Sequence, residues 1–488
     1  MLDEFIDGSD KMEEACGVFG IYSTKKNVSL LTYYALYSLQ HRGQESAGIA
    51  VANDSDISLH KGMGLVSEVF NEQVLEKLSG HSAIGHVRYS TTGSSLAVNA
   101  QPLVCQYLRG SLAVAHNGNL INARELRQKL AENGSVFQSS IDSEVIVNLI
   151  ARYGQGKIEE ALMKCMIDLQ GSYSLLVMTE DKVIGIRDPY GNRPLCLGQL
   201  EGDYVIASES CALDTLGADF VRDIAPGEIV ILDKNGLQSR RFFTPNDPAV
   251  CIFEYIYFAR PDSNIDGINV MQARRAMGRR LALEHPVEAD LVMAVPDSGI
   301  AGALGYAEQL GILYDSALMK NRYIGRTFIQ PEQSERKLGV SLKLNPISRI
   351  VEGKKVVVVD DSIVRGTTSK RIVELIRKRG AKEVHMLVSS PPVCNPCYYG
   401  IDISERGQLI AAHKTVEEVR NYIAADSLHY LSLEGLFLSM GKDKGFCTAC
   451  LNGCYPMGIP AQEEIELGKS VLESQNQRKE KKSCTNQQ

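Results

Sequence analysis

Short apolar segments in the first half of the chain follow the periods of strands and helices. GVFGIY, SAIGHVRYS and SLAVAHNG alternate or run apolar over lengths that are typical of strands. NARELRQKLAENG predicts a helix, with Asn122 at the N-cap, Glu125 three residues later and a stop at Gly134. DSEVIVNLIARYG predicts a second helix with one apolar face. Turn residues accumulate over residues 227–250, which we interpret as the end of the first domain.

The second half of the chain has a different pattern. DLVMAVPDSG predicts a buried strand that ends in a polar loop, followed by a helix over residues 300–310. KKVVVVDDSIVRGTTSKRIVELIRKRG repeats this plan, and VHMLVSS supplies the next strand. A run of valines favours a strand that is buried on both faces of a parallel sheet. This β-α-β succession predicts an open parallel sheet with helices on both faces.

The composition is that of an ordinary globular protein, with 44% hydrophobic and 23% charged residues over 488 positions. This length allows about two to four domains. The net charge of −7 argues against a broad surface for nucleic acid or membranes, and no apolar run is long enough to span a bilayer. Twelve cysteines without an export signal favour a reduced, cytoplasmic protein over a disulfide framework, with Cys105, Cys165, Cys196 and Cys211 as small buried residues.

Asp360 and Asp361 follow the valine strand, at the edge of the sheet where open α/β proteins bind ligands. The next turn offers a flexible glycine and several hydroxyl groups, on Ser362, Gly366, Thr367, Thr368 and Ser369. Free amides at the following helix start add an anion cradle. Acids beside such a cradle suit sugar hydroxyls, or a Mg²⁺ ion that bridges to phosphate. A capped helix with two solvated aspartates is the competing interpretation.

The string VVVVDDSIVRGTTS resembles the phosphoribosyl pyrophosphate (PRPP) fingerprint of type I phosphoribosyltransferases. The resemblance implies that the two acids contact the ribose diol, and that the following loop holds the 5-phosphate through Ser362, Arg365, Gly366, Thr367, Thr368 and Ser369. VPDSG is similar to the pyrophosphate-side loop, which implies a Mg²⁺ site at Ser298, Asp360 and Asp361. KNRYIGRTFIQ resembles a mobile basic loop, in which Lys320, Arg322 and Arg326 would neutralise the departing pyrophosphate.

Cys16 stands behind an acidic leader, residues 1–15, which lacks the features of a secretory signal or transit peptide. We expect this leader to be a propeptide whose removal leaves Cys16 as the first residue. A cysteine with a free α-amine carries its own base, since the reference pKa values are about 8.5 for the thiol and about 7.7–8.0 for the amine. On chemical grounds alone, a buried core cysteine is the favoured alternative.

Five strings in order resemble the N-terminal-nucleophile glutaminases: CGVFGIY, HRGQESAGIA, GHVRYSTTG, AHNGNLINA and IDSEVIVNLI. The resemblance implies an αββα sandwich, with Cys16 as nucleophile and with Asn117 and the amide of Gly118 as oxyanion hole. It also implies that Arg88 pairs with the carboxylate of glutamine and that Asp142 pairs with its α-ammonium group. Thr91, as a further glutamine-binding residue, and Arg42 match the glutaminase family more weakly.

A glutaminase followed by a PRPP site, in this order, resembles the amidophosphoribosyltransferase family. We therefore divide the chain into a propeptide (1–15), a glutaminase domain (16–245), a phosphoribosyltransferase domain (246–461) and a polar tail (462–488), with the first and last segments outside the resemblance. The resemblance also implies that ammonia released from glutamine moves internally and displaces pyrophosphate from PRPP, giving phosphoribosylamine in the first step of purine synthesis. Feedback inhibition by purine nucleotides and a homotetramer are further implications.

Two C-x-x-C pairs and one separate cysteine predict a thiolate-bound metal site. Spacing alone favours zinc at Cys394, Cys397, Cys447 and Cys450. The family resemblance instead implies a [4Fe-4S] cluster at Cys251, Cys397, Cys447 and Cys450, with Cys394 and Cys454 left over. Free thiols are the third possibility, and metal analysis separates the three.

Two other functions compete with this one. A glutaminase that passes ammonia to another sugar phosphate would share the first half of the chain but lack VVVVDDSIVRGTTS. A PRPP-sensing regulator without catalysis should carry a basic helix-turn-helix region. The sequence has no such region, and its negative net charge disfavours that function.

Overall fold

The computed structural model describes residues 16–89, 94–242, 247–321, 344–403, 405–462, 465 and 471–472. The expected propeptide, Thr91, Arg322, Arg326 and most of the polar tail lie outside the described residues. Within the described ranges, no helix has the length and apolar character needed to cross a bilayer.

Two antiparallel sheets dominate the first half of the chain. Their strands are β1 (Gly17–Tyr22), β2 (Ser46–Ala52), β3 (Ile57–Met63), β4 (Ser82–Arg88), β5 (Leu103–Tyr107), β6 (Gly110–Leu120), β7 (Gly171–Met178), β8 (Lys182–Arg187), β9 (Cys196–Leu200), β10 (Asp203–Ala207), β11 (Asp219–Asp223), β12 (Glu228–Asp233) and β13 (Gly236–Arg241). The first sheet has the order β11-β9-β10-β1-β4-β2-β3, and the second has the order β13-β12-β8-β7-β6-β5. The turn-rich stretch that we interpreted as a boundary therefore contains one hairpin, β12–β13, that completes the second sheet.

The helices of this half lie outside the two sheets. They are α1 (Val28–Ser38), α2 (Val66–Val69), α3 (Glu72–Lys77), α4 (Ala123–Glu132), α5 (Ser143–Tyr153), α6 (Ile158–Asp168) and α7 (Ser210–Leu216). Side chains alternate along β1, so Val18 packs between the sheets while Phe19 and Ile21 pack with residues of α1 and α7. On the far side, Val114 and Leu175 pack against α4, α5 and α6. The predicted αββα sandwich is confirmed.

The second half contains short strand pairs and one parallel sheet. Its strands are β14 (Val250–Cys251), β15 (Asn264–Ile265), β16 (Ile268–Asn269), β17 (Leu291–Ala294), β18 (Leu318–Lys320), β19 (Leu344–Pro346), β20 (Lys355–Asp360), β21 (Glu383–Val388), β22 (Ser427–Tyr430) and β23 (Phe446–Cys447). Its helices are α8 (Val270–Glu284), α9 (Gly299–Leu310), α10 (Ser348–Val351), α11 (Thr367–Lys378), α12 (Val416–Ile423), α13 (Leu433–Met440) and α14 (Ala449–Asn452). A π-helical turn spans Glu254–Phe258.

The parallel sheet has the order β17-β20-β21-β22. Val357 and Val359 of β20 pack on the side of α8 and α9, whereas Val356 and Val358 pack on the side of α11. All four valines are fully buried. The prediction of a parallel sheet with helices on both faces is confirmed, and β20 delivers its acidic residues to the carboxyl edge of this sheet.

Two local details differ from the prediction: the position of Asn122 at the N-cap is confirmed but its side chain makes no cap, and one cysteine is less buried than predicted. Asn122 occupies the N-cap of α4, but its side chain does not cap the helix. It instead donates to the carbonyl oxygen of Asp168 (2.9 Å) and accepts from the amide of Gln170 (3.1 Å), because the chain entering β7 lies alongside and leaves these groups to be paired. Cys105 is only partly buried, unlike Cys165, Cys196 and Cys211.

Candidate functional site

Cys16 lies directly before β1, which places it in the middle of the first sheet. Its carbonyl oxygen accepts a hydrogen bond from Nε of Arg42 (3.0 Å), and its thiol donates to the carbonyl oxygen of Tyr89 (3.6 Å). The residue is buried, with 8% of its surface exposed. The backbone and the thiol of Cys16 are therefore held by different partners.

The environment of Cys16 disfavours the thiolate. Burial raises the pKa of its thiol to about 12, and the carboxylates of Glu45 and Asp142 add to this effect. The guanidinium group of Arg88 opposes the increase in the pKa but does not overcome it. A neutral thiol in this position needs a nearby base before it can act as a nucleophile.

A small pocket opens beside the Cys16 thiol. Its walls come from the residue before β1, the end of β4, β6 and the start of α5, and they comprise Cys16, Arg88, Tyr89, Gln101, His116, Gly118, Ile141, Asp142 and Ser143. The antiparallel pairing of β1 with β4 and the position of β6 in the facing sheet bring these distant segments together. Four residues that the sequence predicted for glutamine binding or catalysis thus share one cavity: Cys16, Arg88, Gly118 and Asp142.

Gly118 has a conformation that a larger residue could not adopt. Its φ of +151° lies in the region that favours glycine, and an added Cβ would lie 2.1 Å from the carbonyl oxygen of Ser172. Asn117 precedes it in β6 and is fully buried. Both polar atoms of the Asn117 side chain lack a hydrogen-bond partner among the described residues. A buried amide without a partner suits a site that completes its hydrogen bonds with a ligand.

The two described residues that were predicted to bind glutamine, Arg88 and Asp142, are charged and held in place. Arg88 donates from Nη1 to the Glu45 carboxylate (2.5 Å). Asp142 accepts from the amide of Leu120 (3.0 Å) and lies 3.7 Å from Nδ1 of His116. Burial alone would raise the pKa of Asp142, but His116 and these hydrogen bonds outweigh that effect and hold the pKa below its usual range. The pocket therefore offers one cation and one anion to a zwitterionic ligand.

The second candidate site lies at the carboxyl edge of the parallel sheet. Asp360 ends β20, and its carboxylate accepts from the amide of Asp361 (2.9 Å). The Asp361 carboxylate accepts from the hydroxyl of Ser362 (2.6 Å) and from that of Ser298, at the start of α9. Both aspartates are 1% exposed. An added Cβ on Gly299 would lie 2.5 Å from the carbonyl oxygen of Val359, so glycine allows α9 to start this close to β20.

The turn after these aspartates leads into α11. Gly366 is its N-cap, with φ +80°, and an added Cβ would meet Ile410 at 2.9 Å. Thr367 and Thr368 start the helix, and Ser369 is buried in its first turn. Arg365 donates to the side-chain oxygen of Gln408 (3.2 Å from Nε). Lys320 donates to the carboxylate of Asp297 (2.7 Å), next to Ser298.

Cys251, Cys397, Cys447 and Cys450 come from three parts of the chain and lie near one another and near Arg193 of the first half. The parallel pairing of β14 with β23 places Cys251 opposite Cys447. Cys450 follows in α14, and the nearby thiols of Cys397, Cys447 and Cys251 add to the effect of burial in raising the pKa of its thiol. Within the described residues, however, no three His, Cys, Asp or Glu side chains are grouped closely enough to be identified as a site for a metal ion.

The other cysteines of the C-x-x-C region are directed elsewhere. The thiol of Cys394 lies near the carbonyl oxygens of Pro392 (3.7 Å) and Ala411 (3.5 Å). Cys454 is exposed. Of the two ligand sets considered from the sequence, the one with Cys251 in place of Cys394 is the one whose members raise the pKa of one another's thiols.

Backbone amides surround the thiols of this cysteine cluster (Cys251, Cys397, Cys447 and Cys450). The amide of Tyr399 donates to Sγ of Cys397 (3.3 Å). Burial raises the pKa of all four thiols, that of Cys251 to about 12, while such N–H groups act in the opposite direction. The thiols are therefore neutral unless a metal compensates for burial, and the amides are placed to support bound thiolates.

Sequence reasoning missed several residues of these sites. His116 lies inside the quoted AHNGNLINA string, but we assigned it no role; its Nε2 is buried without a partner among the described residues. Glu254 lies in the apolar string IFEYIYFARPDS and is fully buried. An acid within an apolar, aromatic string is a signal for a buried ion pair, since burying an unpaired charge is costly.

Two domain families match the chain. A glutamine amidotransferase domain matches residues 86–215, and a phosphoribosyl transferase domain matches residues 269–391. The chain is 53% identical over 454 residues to an amidophosphoribosyltransferase of Archaeoglobus fulgidus, covering 92% of this chain and 99% of that protein. It is 50% identical over 454 residues to the amidophosphoribosyltransferase of Bacillus subtilis, covering 92% and 95% of the two chains.

Two solved structures resemble the whole fold. One is the glutamine PRPP amidotransferase of B. subtilis complexed with ADP and GMP, with a TM-score of 0.87 and 50% identity over 92% of this chain and 98% of that one. The other is described as the allosteric regulatory enzyme of purine biosynthesis, with a TM-score of 0.88 and 50% identity over 92% and 97% of the two chains.

Proposed function

The chain belongs to the amidophosphoribosyltransferase family, and we propose that its first half releases ammonia from glutamine while its second half transfers that ammonia to PRPP. The family catalyses the first step of purine biosynthesis. The observation that carries the proposal is the pocket in which Cys16, Arg88, Gly118 and Asp142 meet.

Arg88 and Asp142 bind the α-carboxylate and the α-ammonium group of glutamine, which presents the side-chain amide to Cys16. Once the leader has been removed, the α-amine of Cys16 accepts the thiol proton and the sulfur attacks the amide carbon. The amide of Gly118 and the side chain of Asn117 stabilise the negative oxygen. The C–N bond then breaks, ammonia leaves with a proton from the amine, and water hydrolyses the thioester to glutamate.

In the second half, Asp360 and Asp361 bind the ribose hydroxyls of PRPP, and residues 362–369 bind its 5-phosphate. The nitrogen of ammonia attacks C1 of the ribose, the C1–O bond breaks, and pyrophosphate leaves. Lys320, together with Arg322 and Arg326, neutralises the leaving group. Two buried carboxylates and a hydroxyl are hard oxygen ligands of the kind Mg²⁺ prefers, so Asp360, Asp361 and Ser298 would hold the ion, which supplies positive charge to the pyrophosphate.

The cysteine cluster is a second part of the proposal. Its four thiols lie close enough to raise one another's pKa, and a backbone amide donates to the thiol of Cys397, which suits a [4Fe-4S] cluster. Such a cluster would clamp three parts of the chain together, since the reaction transfers no electrons. Regulation by purine nucleotides is a third part, supported by the ADP and GMP in the B. subtilis structure. A homotetramer stays a prediction from the family.

The proposed function is tested by incubating the purified full-length protein with glutamine, PRPP and Mg²⁺. We expect pyrophosphate and glutamate to appear in equal amounts, and pyrophosphate to appear as well when an ammonium salt replaces glutamine. Glutamate release without any pyrophosphate under either condition would contradict the proposal and favour transfer to a different acceptor.

A further inference from the structure

A buried network of ion pairs joins the backbone of Cys16 to the second half of the chain. Its members are Arg42, Arg193, Glu209 and Glu254, none more than 1% exposed. Two guanidinium groups face two carboxylates, so the charges balance within the network. Burying such a group without a partner is costly, and the network is therefore expected to keep its geometry.

Arg42 lies at the centre of this network. Its Nε donates to the carbonyl oxygen of Cys16 (3.0 Å), and its two terminal nitrogens donate to both oxygens of Glu254 (2.9 and 2.7 Å). Nη1 also contacts Glu209 (2.5 Å). All three guanidinium nitrogens of Arg42 are thus used, and one planar group connects the proposed nucleophile with an acid from the second half.

Groups other than Arg42 also hold Glu254 in place. Its neighbours Phe253 and Tyr255 belong to the apolar core that contains α8, α9 and the parallel sheet. One of its oxygens also accepts from Nη1 of Arg193 (3.3 Å), whose Nη2 donates to the carbonyl oxygen of Tyr399 (2.7 Å). Tyr399 is two residues from Cys397 of the cysteine cluster. Glu254 therefore transmits the position of the second half to Arg42.

Glu209 holds the opposite side of the network. It accepts from His41, from the hydroxyl of Ser263 (2.6 Å) and from the amide of Arg260 (2.9 Å). Burial alone would raise the pKa of Glu209, but its contacts with His41, Arg42 and Ser263 outweigh this effect and hold the pKa below its usual range. Glu209 is therefore charged and makes one contact with Arg42, whereas Glu254 binds Arg42 through both of its oxygens.

We propose that Glu254 is a positioning residue for the glutaminase reaction, which sets the orientation of Cys16 through Arg42. The residue contributes no atom to the glutamine pocket, and its effect is on the direction of the amine and thiol of Cys16. Misplacing a nucleophile by about 1 Å can cost on the order of a hundredfold in rate. The inference rests on the proposed role of Cys16 as nucleophile.

The test compares Glu254→Gln with Asp266→Asn in the full-length protein. The control residue Asp266 forms another ion pair between the two halves, with both oxygens 2.8 Å from Arg187, so its carboxylate does not hold Arg42. For Glu254→Gln we expect kcat with glutamine to fall by about tenfold or more, with the KM for glutamine changed by less than about twofold. Pyrophosphate release with ammonium salt should stay within about twofold of wild type in both variants.

The inference is overturned if Glu254→Gln leaves glutamine turnover unchanged, or if glutamine-dependent and ammonia-dependent rates fall together. It is also overturned if Asp266→Asn reduces glutamine turnover as much as Glu254→Gln. A second measurement uses Arg42→Lys, which loses the bidentate contact: if Glu254 acts through Arg42, the double variant should be no slower than Arg42→Lys alone, and additive losses would contradict this. Failure of the proposed function itself would appear separately, as glutamine turnover in Cys16→Ala.

Discussion

Asn117 is a buried amide without a hydrogen-bond partner among the described residues, next to the left-handed Gly118. We predict that Asn117→Ala lowers kcat for glutamine hydrolysis by on the order of a hundredfold, because one oxyanion donor contributes about 3 kcal/mol. Steady-state assays of glutamate release measure this loss. Ammonia-dependent pyrophosphate release should be unchanged, and a loss of both activities would contradict the assigned role.

The Cys16 thiol gives a prediction about pH. Because burial raises the pKa of this thiol to about 12, the thiolate fraction in a chain that keeps its leader should rise about tenfold per pH unit, without a plateau below about pH 9. In a chain that begins at Cys16, the α-amine, with a reference pKa of about 7.7–8.0, can take the proton. The rate of alkylation by iodoacetamide should then level off above about pH 8.

Both forms of the protein are needed for this measurement, and mass spectrometry with N-terminal sequencing identifies them. Identical pH profiles for the two forms would mean that the amine is not the base. A leader-bearing chain that hydrolyses glutamine at the full rate would contradict the propeptide hypothesis as well.

At the residue scale, the sequence identified four of the residues that line the pocket but not the partners that hold them in place. Cys16, Arg88, Gly118 and Asp142 could be predicted because each lies in a string with a recognisable order. The partners that hold them could not, since they come from distant positions. Glu45 holds Arg88, and Glu254 is more than two hundred residues from the Arg42 it binds.

At the scale of elements, α8 and α9 are packed closely through glycine. An added Cβ on Gly278 would lie 1.9 Å from the carbonyl oxygen of Gly302, whereas an added Cβ on Gly302 would meet its nearest neighbour at 3.4 Å. Both replacements by alanine gain the same helix propensity, so only the contact differs. We predict that Gly278→Ala lowers Tm by roughly 3–10 °C, since overpacking costs about 1–3 kcal/mol.

Gly302→Ala is the matched control for this prediction and should change Tm by no more than about 2 °C. Differential scanning calorimetry of the three proteins gives the comparison. An equal decrease in both variants would show that general burial, and not the contact between α8 and α9, determines the cost.

Hydrophobic periodicity predicted those strands and helices whose pattern lies within one contiguous stretch of sequence. The valine run of β20 and the apolar faces of α5 and α11 are properties of contiguous residues, and their predicted structures are confirmed. The helix crossing at Gly278 depends on which two helices meet, so no local pattern reveals it. The side chain of Asn122 failed to cap α4 for the same reason, because a more distant backbone supplied its partners.

At the scale of the whole molecule, the cysteine cluster joins segments from three parts of the chain. We predict that the wild-type protein binds iron and has a visible absorbance band, and that Cys447→Ser loses both because a thiolate ligand is lost. Cys394→Ser should keep both, since its thiol is directed towards the carbonyl oxygens of Pro392 and Ala411. Absorbance spectroscopy with iron, sulfide and zinc analysis checks both variants.

Zinc in place of iron, or an equal loss in Cys394→Ser, would contradict the proposed ligand set. Spacing alone favoured Cys394, because C-x-x-C spacing favours local pairs, and only the family resemblance indicated Cys251 as the fourth ligand. The choice depends on the pairing of β14 with β23, which is a property of the folded chain. The order of the two domains, in contrast, could be predicted, because each carries its own motif.

The central claim is that Cys16 releases from glutamine the ammonia that the PRPP site consumes. The most direct measurement is pyrophosphate release by Cys16→Ala, with glutamine and with an ammonium salt in parallel. The account predicts that glutamine-dependent release falls by at least about a thousandfold, while ammonia-dependent release stays within about twofold of wild type. Glutamine-dependent release that survives in this variant would contradict it.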